Sequence, residues 1–180
     1  MVNVSSMQVA AQPADSLALV DLFQQTDGAN WLGTWDLSQP VSSWQGVLLN
    51  SQGQVTAISL PNNGLAGTLS MLNLPRIESI NLDNNSLTGA IPSFASHPNL
   101  KTLILSNNLF SHCPALVGSN QWDTLDLHGN QLSFDDIIPN ISINPLSYSP
   151  QASTPSMAIS VPPGTSVEIH FPIDLSLIHI

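Results

Sequence analysis

The chain reads as an α/β solenoid: stacked coils with a parallel sheet on the concave side and a helical cap at the amino-terminal end. Three observations predict this. A pattern of four apolar slots recurs four times between Val55 and Leu132. Its copies begin at Val55, Ile77, Leu100 and Trp122, at steps of 22, 23 and 22 residues. An asparagine fills the same slot in every copy. Self-similarity at a fixed period of this length is the signature of a repeat architecture.

The copies are Val55-Thr-Ala-Ile58-Ser-Leu60-Pro-Asn-Asn63-Gly-Leu65, Ile77-Glu-Ser-Ile80-Asn-Leu82-Asp-Asn-Asn85-Ser-Leu87, Leu100-Lys-Thr-Leu103-Ile-Leu105-Ser-Asn-Asn108-Leu-Phe110 and Trp122-Asp-Thr-Leu125-Asp-Leu127-His-Gly-Asn130-Gln-Leu132. Each fits L-x-x-L-x-L-x-x-N-x-L, which resembles the leucine-rich repeat. Slots four and six are apolar and slot five is free to be polar, so each copy predicts a short strand with one buried face. One copy cannot bury that face alone; stacked copies share a core. Asn63, Asn85, Asn108 and Asn130 fall where the chain turns inward. An amide has two donors and an acceptor, enough to bond open backbone groups of its own coil and the next.

The first two copies continue as Leu65-Ala-Gly67-Thr-Leu69 and Leu87-Thr-Gly89-Ala-Ile91-Pro92. These resemble the L-x-G-x-I-P extension of plant-type repeats, which implies a second, short structure beside the main sheet. The third copy (Phe110-Ser-His-Cys113-Pro114) and the fourth (Leu132-Ser-Phe134-Asp135) depart from it.

Ahead of the repeats, residues 14–54 predict a cap. A helix is expected from Asp15 or Ser16, one of them capping, to Thr26-Asp27-Gly28. Trp31, Trp35 and Trp44 follow, and aromatic rings suit the sealing of an open solenoid end. The run Asp15–Phe23, the segment Thr26-Asp-Gly-Ala-Asn-Trp31 and the segment Val41-Ser-Ser-Trp44-Gln-Gly46-Val47 resemble the amino-terminal cap of plant-type repeats, above all the version in secreted Bacteroidetes proteins. Ser42 and Leu49 stand where plant caps carry paired cysteines, so this cap relies on packing. Residues 1–13 are expected as a leader. The repeats and a closing turn at Phe134–Asn140 occupy 55–145, and a Pro-rich linker is expected over 146–154. Residues 155–174 are read as the start of a β-domain, with strands over Met157–Val161 and Ser166–Phe171. The resemblance implies that an immunoglobulin-like domain follows. Leu175-Ser-Leu-Ile-His-Ile180 matches the translation of a transposon-end sequencing adapter, so the frame is read as truncated.

Composition narrows function. Twelve acids face two bases, Arg76 and Lys101, for a formal charge of −10. Nucleic acid and anionic membrane need a basic surface, and both are excluded as partners. No run has the roughly 18 apolar residues of a membrane helix. Residues 1–12 lack the positive and apolar regions of a secretion signal. Cys113 is the sole cysteine, expected as a small buried residue. His97, His112, His128 and His170 have no metal-ligand spacing. Asp135-Asp136 is read as a helix start, where the dipole favours acids, and Asp27–Asn30 lacks the acids of a calcium loop. No catalytic or cofactor-binding fingerprint is present; no enzyme, metal or cofactor is expected.

A surface remains. Slots three, five and seven face outward from the concave sheet: Ala57, Ser59 and Pro61; Ser79, Asn81 and Asp83; Thr102, Ile104 and Ser106; Thr124, Asp126 and His128. Any one of them is explained as solvated surface. Jointly they form a polar, mildly acidic strip with Ile104 near its middle, fit for a protein or peptide with a basic stretch, or a glycan. The expected function is a non-catalytic interaction or adhesion module of a larger secreted or cell-surface bacterial protein. The alternatives are a signalling-receptor ectodomain and an accessory domain of a secreted hydrolase.

Overall fold

The computed structural model describes residues 13–118 and 121–152. The expected leader (apart from Pro13), the two strands expected beyond residue 155 and the terminal six residues lie outside the described residues.

Helix α1 (Pro13–Gln25) opens the described residues and buries Ala18, Leu19 and Leu22. Asp15, expected to cap it, does something else. Its carboxylate is buried and accepts the backbone N–H of Val55 at 2.7 Å. It ties the helix to the start of the first repeat strand, 40 residues away. Phe23 and the three tryptophans then stack as a chain of rings. Trp31 meets Trp35 edge-on at 4.9 Å, and Trp35 stacks on Trp44 at 4.8 Å. Each indole N–H reaches a backbone carbonyl: Thr26, Gln45, and both Asp36 and Gln39. The rings therefore seal the end without leaving a buried donor unpaired.

Strand β1 (Val47–Leu49) is followed by a hairpin, in which the Asn50 carboxamide accepts the N–H groups of Gln52 and Gln54. The chain then alternates between two sheets. Strands β2 (Val55–Ser59), β4 (Ser79–Asn81), β6 (Thr102–Ile104) and β8 (Thr124–Asp126) carry the four copies. They pair in parallel, slot against slot: Ile58 opposite Ile80, Ile80 opposite Leu103, Leu103 opposite Leu125. Strand β1 joins this sheet antiparallel to β2. Strands β3 (Ala66–Thr68), β5 (Ser86–Ala90) and β7 (Leu109–His112) form a second, parallel, three-stranded sheet. The third copy thus supplies a strand although it lacks the glycine extension. It pairs with β5 with a shift in register between Gly89 and Ala90. The fourth copy supplies none; helix α2 (Phe134–Ile137) takes that place.

All four apolar slots of every copy are buried, from Val55 at 0 % to Trp122 at 8 % exposure. At about 1.5–3 kcal/mol per buried large aliphatic side chain, these rows dominate the stability of the stack.

The far end closes in a way the sequence pattern hides. Ser133 caps α2 in a capping box with Asp136. The same carboxylate accepts the N–H of Cys113 at 3.0 Å. Burial alone pushes the Asp136 carboxyl up, but the Ser133 hydroxyl and the N–H groups of Cys113 and Ser133 outweigh it and hold it below the usual aspartate value. The helical path does not stop at Pro139. It runs through it as a 3₁₀ turn, Ile138–Asn140, whose first positions need no N–H donor. Residues 146–152, within the segment expected as a linker, continue the solenoid. Strand β9 (Leu146–Ser147) pairs in parallel with β8, Leu146 opposite Leu125. Ile143, Leu146, Tyr148 and Gln151 fill slots one, four, six and nine of a fifth coil.

Candidate interaction surface

The turn after each strand sets how the concave face is presented. Slot eight takes a left-handed backbone: φ is 54° at Asn62 and Asn84, 53° at Asn107 and 67° at Gly129. Asparagine and glycine tolerate this conformation, and most side chains do not. Slot nine then points its amide inward. Asn108 donates to the carbonyls of Leu82, Leu105 and Ser106 at 3.0–3.2 Å and accepts the N–H of Leu87 at 3.0 Å. Asn130 makes the equivalent set with Leu105, Leu127, His128 and Phe110. Asn85 does so with Leu60, Leu82, Asp83 and Leu65. Asn63 bonds Gly33 of the cap through both amide atoms. Gln151 completes the series, donating to Leu127 O at 3.0 Å and accepting Leu132 N–H at 3.1 Å.

With the turns fixed, the outward slots align in rows. Ser79, Asn81, Asp83, Thr102, Ile104, Thr124, Asp126 and His128 are half-buried, and Ser59 is exposed. Ser106 is not available. It is 1 % exposed, and its hydroxyl donates to Asp83 Oδ1 at 2.8 Å. Its slot faces outward, but Asp83 of the preceding coil lies against so short a side chain and takes its hydroxyl. Asn107 Nδ2 donates to the same Asp83 oxygen at 2.9 Å and lies 3.4 Å from His128 Nε2. His128 Nδ1 in turn lies 2.7 Å from Asp126 Oδ1. One hydrogen-bonded string thus joins Asp83, Ser106, Asn107, His128 and Asp126 across three coils. Slot seven, slot eight and slot five all contribute. Asn107 was missed from sequence because only slots three, five and seven were read as facing outward; the repeated Asn-Asn pair was its signal.

Ser106 and His128 do not bond one another, so the string does not form a nucleophile–base pair. Among the described residues no three His, Cys, Asp or Glu side chains group to hold a metal. Cys113 is buried beside Asn140, and burial, with the Asp136 charge adding to it, pushes its thiol up to about 12. Such a thiol is inert at neutral pH.

Fold and surface define a class: a short solenoid with an open, polar, concave parallel sheet. A leucine-rich repeat family model matches residues 75–132. The BRI1-like 3 receptor-like protein kinase of Arabidopsis thaliana is 30 % identical over 138 residues, covering 66 % of this chain and 12 % of that protein. Pollen receptor-like kinase 3 of the same plant is 41 % identical over 70 residues, covering 37 % of this chain and 11 % of that protein. The chain thus spans only about a tenth of the length of these curated relatives. The crystal structure of the LRR ectodomain of the receptor kinase SOBIR1 from Arabidopsis thaliana superposes with a TM-score of 0.54 at 18 % identity, over 78 % of this chain and 94 % of that one. The described residues have the leucine-rich repeat fold.

Proposed function

We propose that this chain is a non-catalytic protein-binding module of a larger secreted or cell-surface protein, and that its partner lies on the concave sheet. The observation that carries this reading is the registered array of half-exposed short side chains on four parallel strands. Its hydrogen bonds fix its charged members in place. A preorganised surface loses little side-chain freedom on binding. Solenoids present such faces to extended partners. Asp83→Lys combined with Asp126→Lys is expected to weaken partner binding by at least about tenfold, close to 1.4 kcal/mol, while the melting temperature holds. Unchanged affinity removes the strip from consideration.

A second reading, an ectodomain of a signalling receptor, is favoured by the relatives, which are receptor-like kinases by name. The cap favours the bacterial secreted setting: Ser42 and Leu49 stand where plant caps carry cysteines, and packed rings do the sealing. Sequencing the parent gene outward from the repeats separates the two. A membrane span with kinase motifs supports the receptor; a sorting or anchoring tail supports the adhesion module.

A further inference from the structure

The two ends of the stack are finished differently. At the amino-terminal end, three buried indoles seal the first coil. At the other end, slots one, four and six of the fifth coil, Ile143, Leu146 and Tyr148, are only half-buried. The same slots are at most 8 % exposed in all four preceding coils. Phe134 and Ile141, on the return segment that leads into the fifth coil, are 57 % and 48 % exposed. From Ile137 to Ala152 the sequence carries no charged side chain, in a chain of formal charge −10. The fifth coil thus has an uncovered apolar flank, and contiguous exposed apolar side chains mark a contact surface.

The backbone shows that the sheet itself stops there. In each of the first four coils the slot eight N–H donates to the next coil: Asn62 to Asp83, Asn84 to Ser106, Asn107 to His128 and Gly129 to Pro150, at 2.6–3.0 Å. Slot eight of the fifth coil is Pro150, which has no N–H to give. Proline on an outer strand blocks further pairing. The exit path departs from the repeat as well. The slot ten N–H groups of Ser86 and Gln131 reach the slot eleven carbonyls of Leu65 and Phe110. That of Ala152 reaches the slot nine carbonyl of Asn130 instead. Whatever covers Leu146 and Tyr148 therefore packs on them through side chains and does not continue the ladder.

We propose that residues 153–174 of this chain fold back over that flank and cover Phe134, Ile141, Ile143, Leu146 and Tyr148 with apolar side chains, without adding a strand to the repeat sheet. The chain leaves the described residues at Ala152, bonded to Asn130, so its continuation starts at the coil it covers. Tyr148 lies four residues before Ala152 and Met157 five after it. An extended return at ~3.3 Å per residue spans that distance. Met157, Ile159 and Val161 alternate with Ala158 and Ser160, and Val167, Ile169 and Phe171 alternate with Glu168 and His170. In extended chain each apolar set projects from one face. The β-domain expected from these residues is then fixed against the repeats, not swung on a linker. The concave face and the domain after it keep one orientation.

Tyr148 is the only tyrosine, so its iodination in the full 180-residue chain, read by mass spectrometry, reports on this flank. The native protein is expected to react slowly, at a rate that dilution does not change. Ile169→Asp with Phe171→Asp is expected to react at least about tenfold faster, because a covered ring reacts only through local opening. Circular dichroism is expected to show the repeat sheet intact in this variant. Phe134→Ser with Ile141→Ser changes two exposed side chains on the receiving side and is expected to give the same acceleration. This second pair keeps the test decisive if the first variant fails to fold. Thermolysin cleavage within residues 153–174 is expected to rise in both. A native rate equal to that in urea, or one unchanged by both pairs of substitutions, overturns the proposal. Protection that is lost on dilution, with light scattering showing a dimer parting into monomers, overturns it in favour of a second copy of the chain.

Discussion

The paired asparagines of the first three turns have opposite tasks. The first takes the left-handed backbone, and the second closes the turn with its amide. Their substitutions should therefore separate. Asn107→Gly is expected to be nearly neutral, whereas Asn107→Val should cost about 1–2 kcal/mol for forcing a β-branched residue into φ near 53°. Asn108→Ala should cost about 1–3 kcal/mol, because it leaves the buried Leu87 N–H without the amide oxygen that accepts it. Urea unfolding of the three variants measures both figures; equal losses at both positions would remove the division of labour. Cys113 gives a second residue-scale test. Its burial and its raised value of about 12 predict no alkylation of the native protein at pH 8, and full labelling once urea unfolds it. Mass spectrometry reads the difference. Slot nine was legible in the sequence because the same amide recurs. The burial of Ser106 was not, since it depends on Asp83 of the preceding coil.

At the scale of the element, α2 is held to the third coil by one carboxylate. Asp136 keeps its charge below the ordinary aspartate value of 3.8 in the folded protein. A lowered value means that the folded state favours the ionised form. Its stabilisation is complete above pH 3.8 and drains away as pH falls through the lower folded value. Thermal melts of the native protein should lose midpoint temperature below about pH 4, and Asp136→Asn should lose less over the same range. The strands of the four copies were readable because slot and period coincide over every one. Three strands escaped. β7 belongs to a copy without the glycine extension. β1 lies outside the repeat and pairs antiparallel. β9 was hidden by Pro145 and Pro150, which suggested an exit, and by Gln151, whose longer amide takes the asparagine slot. Gln151→Ala is expected to release β9 and to speed amide exchange at Leu127 and Gly129, which donate to Ser147 and Pro150. Hydrogen exchange that stays slow there would show that β9 holds without the glutamine.

Over the whole molecule, each coil touches mainly its neighbours, so stability passes along the stack from interface to interface. The aromatic cap is one boundary of that line. Trp44→Ala should cost about 3–5 kcal/mol and lower the melting of the entire stack, because the stacked partner Trp35 loses its neighbour. Circular dichroism tests this: a loss confined to the cap, with the repeat sheet melting unchanged, would show the boundary to be dispensable. The charge of −10 acts at this scale too. It steers cations toward the molecule and weakens with salt.

The amides that close the turns also impose an order in time. The N–H of Leu65 is met by Asn85, that of Leu87 by Asn108, that of Phe110 by Asn130 and that of Leu132 by Gln151, always from 19 to 21 residues downstream. A coil emerging from the ribosome cannot finish its own turn; it waits for the next to be translated. Growth from the amino end therefore always carries one open coil at its tip. The nascent solenoid lags synthesis by one period until Gln151 arrives.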